Sequence, residues 1–278
     1  PDVEKTDELF QELEFRKMKA QFDKYFGTGK EYDEIDTNGK GTSTEEPQPA
    51  KKAPAKKSNE DQFDLFGFSD EESGEAKSSS HYATLENTEH FYQSIQGDFA
   101  VKLLLQNLMN QTSVCFDTET TGIDALNAEL VGMSFSFEKG KAFYVPFPEN
   151  QEEAQVLVDK FKPFFESEKI EKIGQNIKYD LKILSHYAVQ IKGKLFDTMI
   201  AHYLINPDMR HNMDVLSETY LKYSPKSITE LIGKKGKNQG NMRDIPLDDI
   251  KEYAVEDADV TIQLKNHFLP ILEKVGTK

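Results

Sequence analysis

Residues 113–119 read Ser-Val-Cys-Phe-Asp-Thr-Glu. The apolar run Val114-Cys115-Phe116 is strand-like and leads straight into two acids. A strand repeats every two residues, so Asp117 and Glu119 project to the same side of any sheet this strand joins. Two carboxylates on one face at the end of a buried strand are costly unless they are solvated, paired or bound to metal. The spacing alone is a weak signal. With 49 acidic residues in 278, an acid-x-acid pair arises by chance about nine times. Cys115 on the same strand reads as a small buried residue.

Working outward, the neighbouring segments complete an α/β pattern. A helix is predicted over 98–110, and strands over 130–137 and 141–147 are joined by the tight turn Glu138-Lys139-Gly140. Helix 151–166 and the short strand Lys172-Ile173-Gly174 follow. Helices over 177–187, 197–205, 213–222 and about 247–268 close the series. Strands first, then one strand among many helices, predict a mixed sheet flanked by helices in a globular domain over 81–278.

The first 80 residues have a different composition. Leu9, Phe10, Leu13, Met18, Phe22 and Phe26 recur at helical steps, so 1–26 read as a helical segment with Thr6 as a cap. Residues 27–80 are rich in Gly, Pro, Ser, Lys and Glu and read as a disordered low-complexity linker. The Gly27-Thr28-Gly29-Lys30 run lacks the spacing of a phosphate loop. One apolar island, Phe63, Leu65, Phe66 and Phe68, interrupts the linker. Apolar residues are expensive to leave in water, so the island marks an anchor, either on the chain itself or on a partner.

The whole chain is 37% hydrophobic and 30% charged, with net charge −15 and mean hydropathy −0.65. Residues 81–278 carry −7 of that charge. No apolar stretch reaches the roughly 18–20 residues of a membrane span. No leader is visible at the N-terminus, and an intracellular protein is expected. One cysteine excludes an internal disulfide and a cysteine-based zinc site. A protein that grips a long duplex through many phosphates would be basic. This chain avoids nucleic acid, touches little of it, or meets it through cations held by carboxylates.

The six histidines show no metal-binding spacing and are expected to be structural or on the surface. The carboxylates offer more. Gly174-Gln-Asn-Ile-Lys-Tyr-Asp180 reads as a strand entering a helix, with Asn176 as the cap and Asp180 in the first turn. The plain alternative for Asp180 is an acid favoured by the helix dipole. In Tyr253-Ala-Val-Glu-Asp-Ala-Asp259, Tyr253 and Asp257 are one turn apart on one helix face. Glu256 and Asp259 are expected on a solvated acidic surface. Asp117, Glu119, Asp180 and Asp257, with no histidine, form a hard oxygen set suited to Mg²⁺ or Mn²⁺. Two such ions can hold an attacking water and a leaving oxygen on opposite sides of a phosphorus.

In order and separation, Phe116-Asp-Thr-Glu-Thr, Gly174-Gln-Asn-Ile-Lys-Tyr-Asp and Tyr253-Ala-Val-Glu-Asp-Ala-Asp-Val-Thr resemble the three motifs of the DEDDy exonucleases. The likeness is strongest to the proofreading domains of bacterial DNA polymerases I of family A. It covers about 85–275, including Phe196-Asp-Thr-Met and Gly236-Lys-Asn-Gln. The resemblance implies an RNase H-like fold and removal of nucleotides from single-stranded DNA 3′ ends with two metal ions. It makes Asp117, Glu119, Asp180 and Asp257 the metal ligands and Tyr253 the residue that orients the water. It places Ile123 against terminal bases and Asn176 on the bound strand. Thr229 departs from members that carry an aromatic there.

The first 26 residues resemble the end of a 5′-nuclease region, and a polymerase domain of the same chain is expected after Lys278. That implies a bacterial protein of the cytoplasm, working at the nucleoid. Lys222, Lys226, Lys234, Lys235, Lys237 and Arg243 form a basic segment that is either solvated or a phosphate-contacting flap. Gln62-Phe63-Asp64-Leu65-Phe66 resembles the pentapeptide that docks bacterial proteins into the sliding clamp, with Gln62, Leu65 and Phe66 as contacts. The rival readings are an RNA-trimming nuclease of the same superfamily and a non-catalytic spacer or clamp-docking fragment.

Overall fold

A computed structural model of the chain describes Lys5 and residues 82–234, 236 and 239–276. All but Lys5 fall in the second of the two units into which the chain divides, Asp64–Lys278. The expected 1–26 helix, the 27–80 linker, the Gln62–Phe66 motif, Lys235 and Lys237 lie outside the described residues.

The acid-bearing stretch is strand β2, Ser113–Thr120, inside a mixed sheet. In chain order its companions are β1 (Phe91–Ser94), β3 (Leu130–Glu138), β4 (Lys141–Pro146), β5 (Glu171–Gly174) and β6 (Leu195–Asp197). The strand order is β1-β4-β3-β2-β5-β6. Strands β2, β3 and β4 form an antiparallel meander, while β5 and β6 continue parallel from β2, and β1 lies parallel to β4.

The helices are α1 (Asp98–Met109), α2 (Gln151–Phe165), α3 (Lys178–His186), α4 (Thr198–Ile205), α5 (Met213–Leu216), α6 (Ile228–Ile232) and α7 (Leu247–Val275). Asn150 starts α2 by accepting from the backbone of Glu152 and Glu153 at 2.9 and 3.1 Å.

The two faces of the sheet differ in side-chain size, and that difference positions the site. Val114 and Phe116 of β2, Met133 and Phe135 of β3 and Val145 of β4 share a core with Leu104 and Leu108 of α1 and Phe161, Phe164 and Phe165 of α2. Phe135 stacks on Phe161 with ring centres 5.3 Å apart, and Phe116 meets Phe165 edge-on at 5.1 Å. The opposite face carries the aligned residues Cys115, Ser136 and Ala142, then Asp117, Ser134 and Tyr144, then Glu119 and Gly132. These are mostly small, and α7 crosses them closely, with Ala258 packed beside Cys115 and Ala254 beside Ala142 and Tyr144. Large residues on this face would hold the helix off. The strand acids and the helix acids could not then meet.

Four readings of local structure are corrected. β1 and β6 are strands; they have four and three residues, too few for alternation to show. The 213–222 segment divides into α5 and a wide π-helical turn, Ser217–Leu221, ending at Lys222 in the left-handed region with φ 55°. Asn176 is not the cap of α3: it has φ 57°, and Ile177 occupies the capping position. Helix α7 runs past residue 268 to Val275. Among the described residues, no helix is long and apolar enough to cross a membrane.

Candidate active site

Because β2 alternates, Asp117 and Glu119 face α7, while Thr118 faces the other way, toward α3. Helix α7 presents Tyr253 and, one turn later, Asp257. Oxygen atoms of Asp117, Glu119 and Asp257 lie within 4.8 Å of one another. Asp180, in the first turn of α3, is 2% exposed and joins from the other side. Its Oδ1 accepts from Thr118 N at 3.1 Å and from Thr118 Oγ1 at 2.5 Å. The residue between the two strand acids therefore orients the third. The dipole-stabilised surface acid is not what forms here.

Burial dominates the electrostatics. It raises the Asp117 carboxyl to about 6, against a partial lowering by the Thr118 N–H. Glu119 and Asp257 are pushed well above the carboxylate range, first by burial and then by the other acids. Asp180 is raised in the same way, by burial and then by Asp117, with the Thr118 bonds opposing. Tyr253 is raised by burial and by Asp257, with which its hydroxyl interacts. Glu119 Oε1 is buried without a hydrogen-bond partner. A cluster of withdrawn, mutually repelling carboxylates with an orphaned oxygen fits hard divalent cations, which supply the missing positive charge.

The surroundings are built by residues that the sequence reading passed over. Asp197 accepts from Asn176 N at 3.2 Å and Ile177 N at 2.9 Å, and also caps α4 through Met199 N and Ile200 N. It thus holds the left-handed Asn176 turn; asparagine tolerates that conformation. The signal was present in Phe196-Asp-Thr-Met. Ile123, 78% exposed, stands on the loop that leaves β2. That loop is held by Tyr179, whose hydroxyl donates to Gly122 O at 2.5 Å and lies 2.6 Å from Thr120 Oγ1. Lys234 is exposed, and Thr229 lies in α6.

Two further expectations are adjusted, and the one for the histidines is met where they cluster. Glu256 and Asp259 are buried rather than on a solvated face, because tyrosines reach them from distant segments. Asp259 accepts from Tyr92 Oη at 2.8 Å and Gly140 N at 2.9 Å, and Glu256 from the Tyr223 hydroxyl. Arg243 of the basic segment donates to Leu130 O at 3.0 Å and lies 3.6 Å from Glu129, so it braces the fold. The histidines are structural where they cluster: buried His202 lies 2.6 Å from His211, Nδ1 to Nδ1, and 2.9 Å from the Tyr220 hydroxyl.

Residues 92–273 match the 3′-5′ exonuclease family. The chain belongs to that family. It is 34% identical over 180 residues to DNA polymerase I of Pseudomonas aeruginosa, covering 62% of this chain and 20% of that one. It is 32% identical over 222 residues to DNA polymerase I of Borreliella burgdorferi, covering 78% and 23%. The matches thus span about a fifth of the length of those relatives. Among solved structures, the catalytic core of RRP6 from Trypanosoma brucei superposes with TM-score 0.55 at 18% identity, covering 70% of this chain and 50% of that one. Brucella melitensis NrnC with bound Mg²⁺ superposes with TM-score 0.51 at 22% identity, covering 69% and 85%. These likenesses show the fold, that of RNase H-like exonucleases. The chain is a 3′-5′ exonuclease domain, and its acidic cluster is of the kind that holds divalent metal.

Proposed function

We propose that this chain hydrolyses nucleotides from the 3′ end of single-stranded DNA as the editing part of a DNA polymerase, using two Mg²⁺ or Mn²⁺ ions. The observation that carries this reading is the convergence of Asp117, Glu119 and Asp257 within 4.8 Å, beside the Thr118-held Asp180. These four carboxylates would hold the ions. Bound there, the ions supply positive charge for the developing oxyanions and lower the pKa of water.

The chain's own residues do the rest. Tyr253, interacting with Asp257, orients the attacking water together with Glu119. The water oxygen bonds to the phosphorus of the terminal nucleotide and gives up a proton to solvent, the bond to the preceding 3′ oxygen breaks, that oxygen takes a proton from solvent to become a 3′ hydroxyl, and a 5′-mononucleotide leaves. Exposed Ile123 packs against the terminal bases, and Asn176 contacts the strand. Lys234, Lys235 and Lys237 meet phosphates. Only a few nucleotides need enter, so a net negative domain can do this work.

The wider setting belongs to the same proposal: a polymerase region in the same protein, work at the bacterial nucleoid, and clamp docking through Gln62, Leu65 and Phe66. Support for the setting is the likeness to polymerases I.

Release of labelled nucleotide from a 3′-labelled oligodeoxynucleotide, with Mg²⁺ and with chelator, tests the activity. No release with Mg²⁺ would sink it. Preferential release from the matching RNA would favour the RNA-trimming reading. A peptide spanning 58–70 should bind a bacterial clamp at roughly micromolar affinity and lose binding on Leu65→Ala with Phe66→Ala. No heat of binding at high micromolar peptide would remove the clamp from the proposal.

A further inference from the structure

Glu256 precedes Asp257 in the chain and is fully buried. A carboxylate withdrawn from water persists only where charge-assisted bonds replace its hydration. Both oxygens are used: Oε1 accepts from the Tyr223 hydroxyl, and Oε2 accepts from Lys226 N at 2.9 Å. Neither donor is on the sheet or on a helix that bears the acids.

Both donors belong to the segment after the π-helical turn, which is tied down at several further points. Lys222 adopts φ 55°. Ala83 N donates to Lys222 O, and Ser224 N donates to Ala83 O, both at 2.9 Å. Ser217 Oγ donates to Tyr223 O at 2.8 Å. From Lys226 the chain continues through α6 and Lys234 to Arg243, which donates to Leu130 O at the start of β3. The described residues 226–234 and 239–243 are therefore the two anchored ends of a strap. Its near end is fastened to the helix that carries Tyr253 and Asp257, and its far end to the strand beside β2. Between the anchors, Leu231 and Ile232 pack against the same cluster as Tyr253.

We infer that Glu256 is a positioning residue for strand binding: by holding the Tyr223 hydroxyl and Lys226 N, it fixes the root of this basic strap beside the carboxylate cluster, where the strap meets the phosphates of a bound single strand. The inference rests on the proposed function in placing a nucleic-acid strand at that cluster. The bonds require an acceptor toward Lys226 N and a polar partner of either kind toward the Tyr223 hydroxyl, but not a net charge. Glutamine can supply them, its carbonyl accepting from Lys226 N and its amide donating to the Tyr223 oxygen. Alanine cannot.

The test uses the 278-residue chain and a fluorescent single-stranded oligodeoxynucleotide, with affinity measured by anisotropy across a salt series and KM and kcat measured in parallel. Glu256→Ala should weaken binding about tenfold and flatten the slope of log affinity against log salt by about one phosphate contact. KM should rise with kcat kept within about threefold. Glu256→Gln should restore both affinity and slope. A merely structural role would lower the melting temperature of Glu256→Ala without moving the slope, and that result overturns the inference. So does a Glu256→Gln chain that melts like the parent yet binds like the alanine variant. If Glu256→Ala does not fold, Tyr223→Phe, which removes one of the two donors, takes its place in the same comparison. Hydrolysis by the parent chain reports separately on the proposed function. A parent that binds but cleaves nothing would sink the activity while the affinity and slope comparison still decides the role of Glu256.

Discussion

Gly132 admits the site by lacking one atom. It lies across the ladder from Glu119, and a Cβ there would stand 2.1 Å from the hydroxyl of the buried Tyr144. Gly132→Ala should therefore cost about 1–3 kcal/mol in urea unfolding, an overpacking penalty, because the buried Tyr144 ring must shift to make room. A cost under half of that would mean Tyr144 moves freely.

Asp117 makes the opposite case. Its folded-state carboxyl is raised from 3.8 to about 6 by burial, so between those values the native chain holds a proton that the unfolded chain has lost. Stability contributed by this group therefore falls as pH rises through that window. The metal-free chain should melt higher at about pH 5 than at pH 7, and Asp117→Asn should shrink that difference. A melting curve for Asp117→Asn with the parent's full pH dependence would contradict this assignment. The acids of the cluster were legible in the sequence because each sits in a contiguous pattern. Glu256 and Asp259 were not, since their partners Tyr223 and Tyr92 lie 33 and 167 residues away.

At the scale of elements, the contact between α7 and the sheet is what brings helix acids to strand acids. It depends on small residues on both sides, Ala254 and Ala258 against Ala142 and Cys115, all fully buried. Ala258→Leu should separate α7 from β2 and β5 by overpacking, at about 1–3 kcal/mol. Cleavage should then fall by more than the lost stability explains, because Asp257 would move away from Asp117. Activity measured well below the melting temperature checks this, and an unchanged kcat would show that the helix can shift without disturbing the ligands. The long, strongly patterned elements were legible: β2, β3, β4, α1 and α2 form where periodicity and turn residues put them, and α7 starts there but runs on to Val275. Among the short ones, β5 was legible, while β1 and β6 were not. β6 has three residues and is defined by its pairing with β5. The turn at Asn176 is held by Asp197, a bond across 21 residues; Phe196-Asp-Thr-Met flagged the residue but not its distant partner.

At the scale of the whole molecule, the negative charge and the raised carboxyl values describe one condition: the folded chain holds acids together that repel in the absence of a counter-ion. A cation that binds the folded state and not the unfolded one stabilises it by RT ln(1 + [L]/Kd), about 2.7 kcal/mol at a hundredfold excess over Kd. Mg²⁺ should therefore raise the melting temperature, most steeply above about pH 6, where Asp117 is ionised without it. Asp257→Asn should abolish both the Mg²⁺-dependent rise and cleavage, yet melt at or above the parent's temperature in chelator, since one repelling charge is gone. Tyr253→Phe should keep the rise and lose only part of the cleavage, because the ligands survive. Glu153→Gln, on the exposed start of α2, separates site binding from general screening: it removes an equal charge and should leave the Mg²⁺ response intact. Equal loss of that response in Glu153→Gln and Asp257→Asn would mean that the cation acts on net charge alone, and the carboxylate cluster would then need another explanation for its cost.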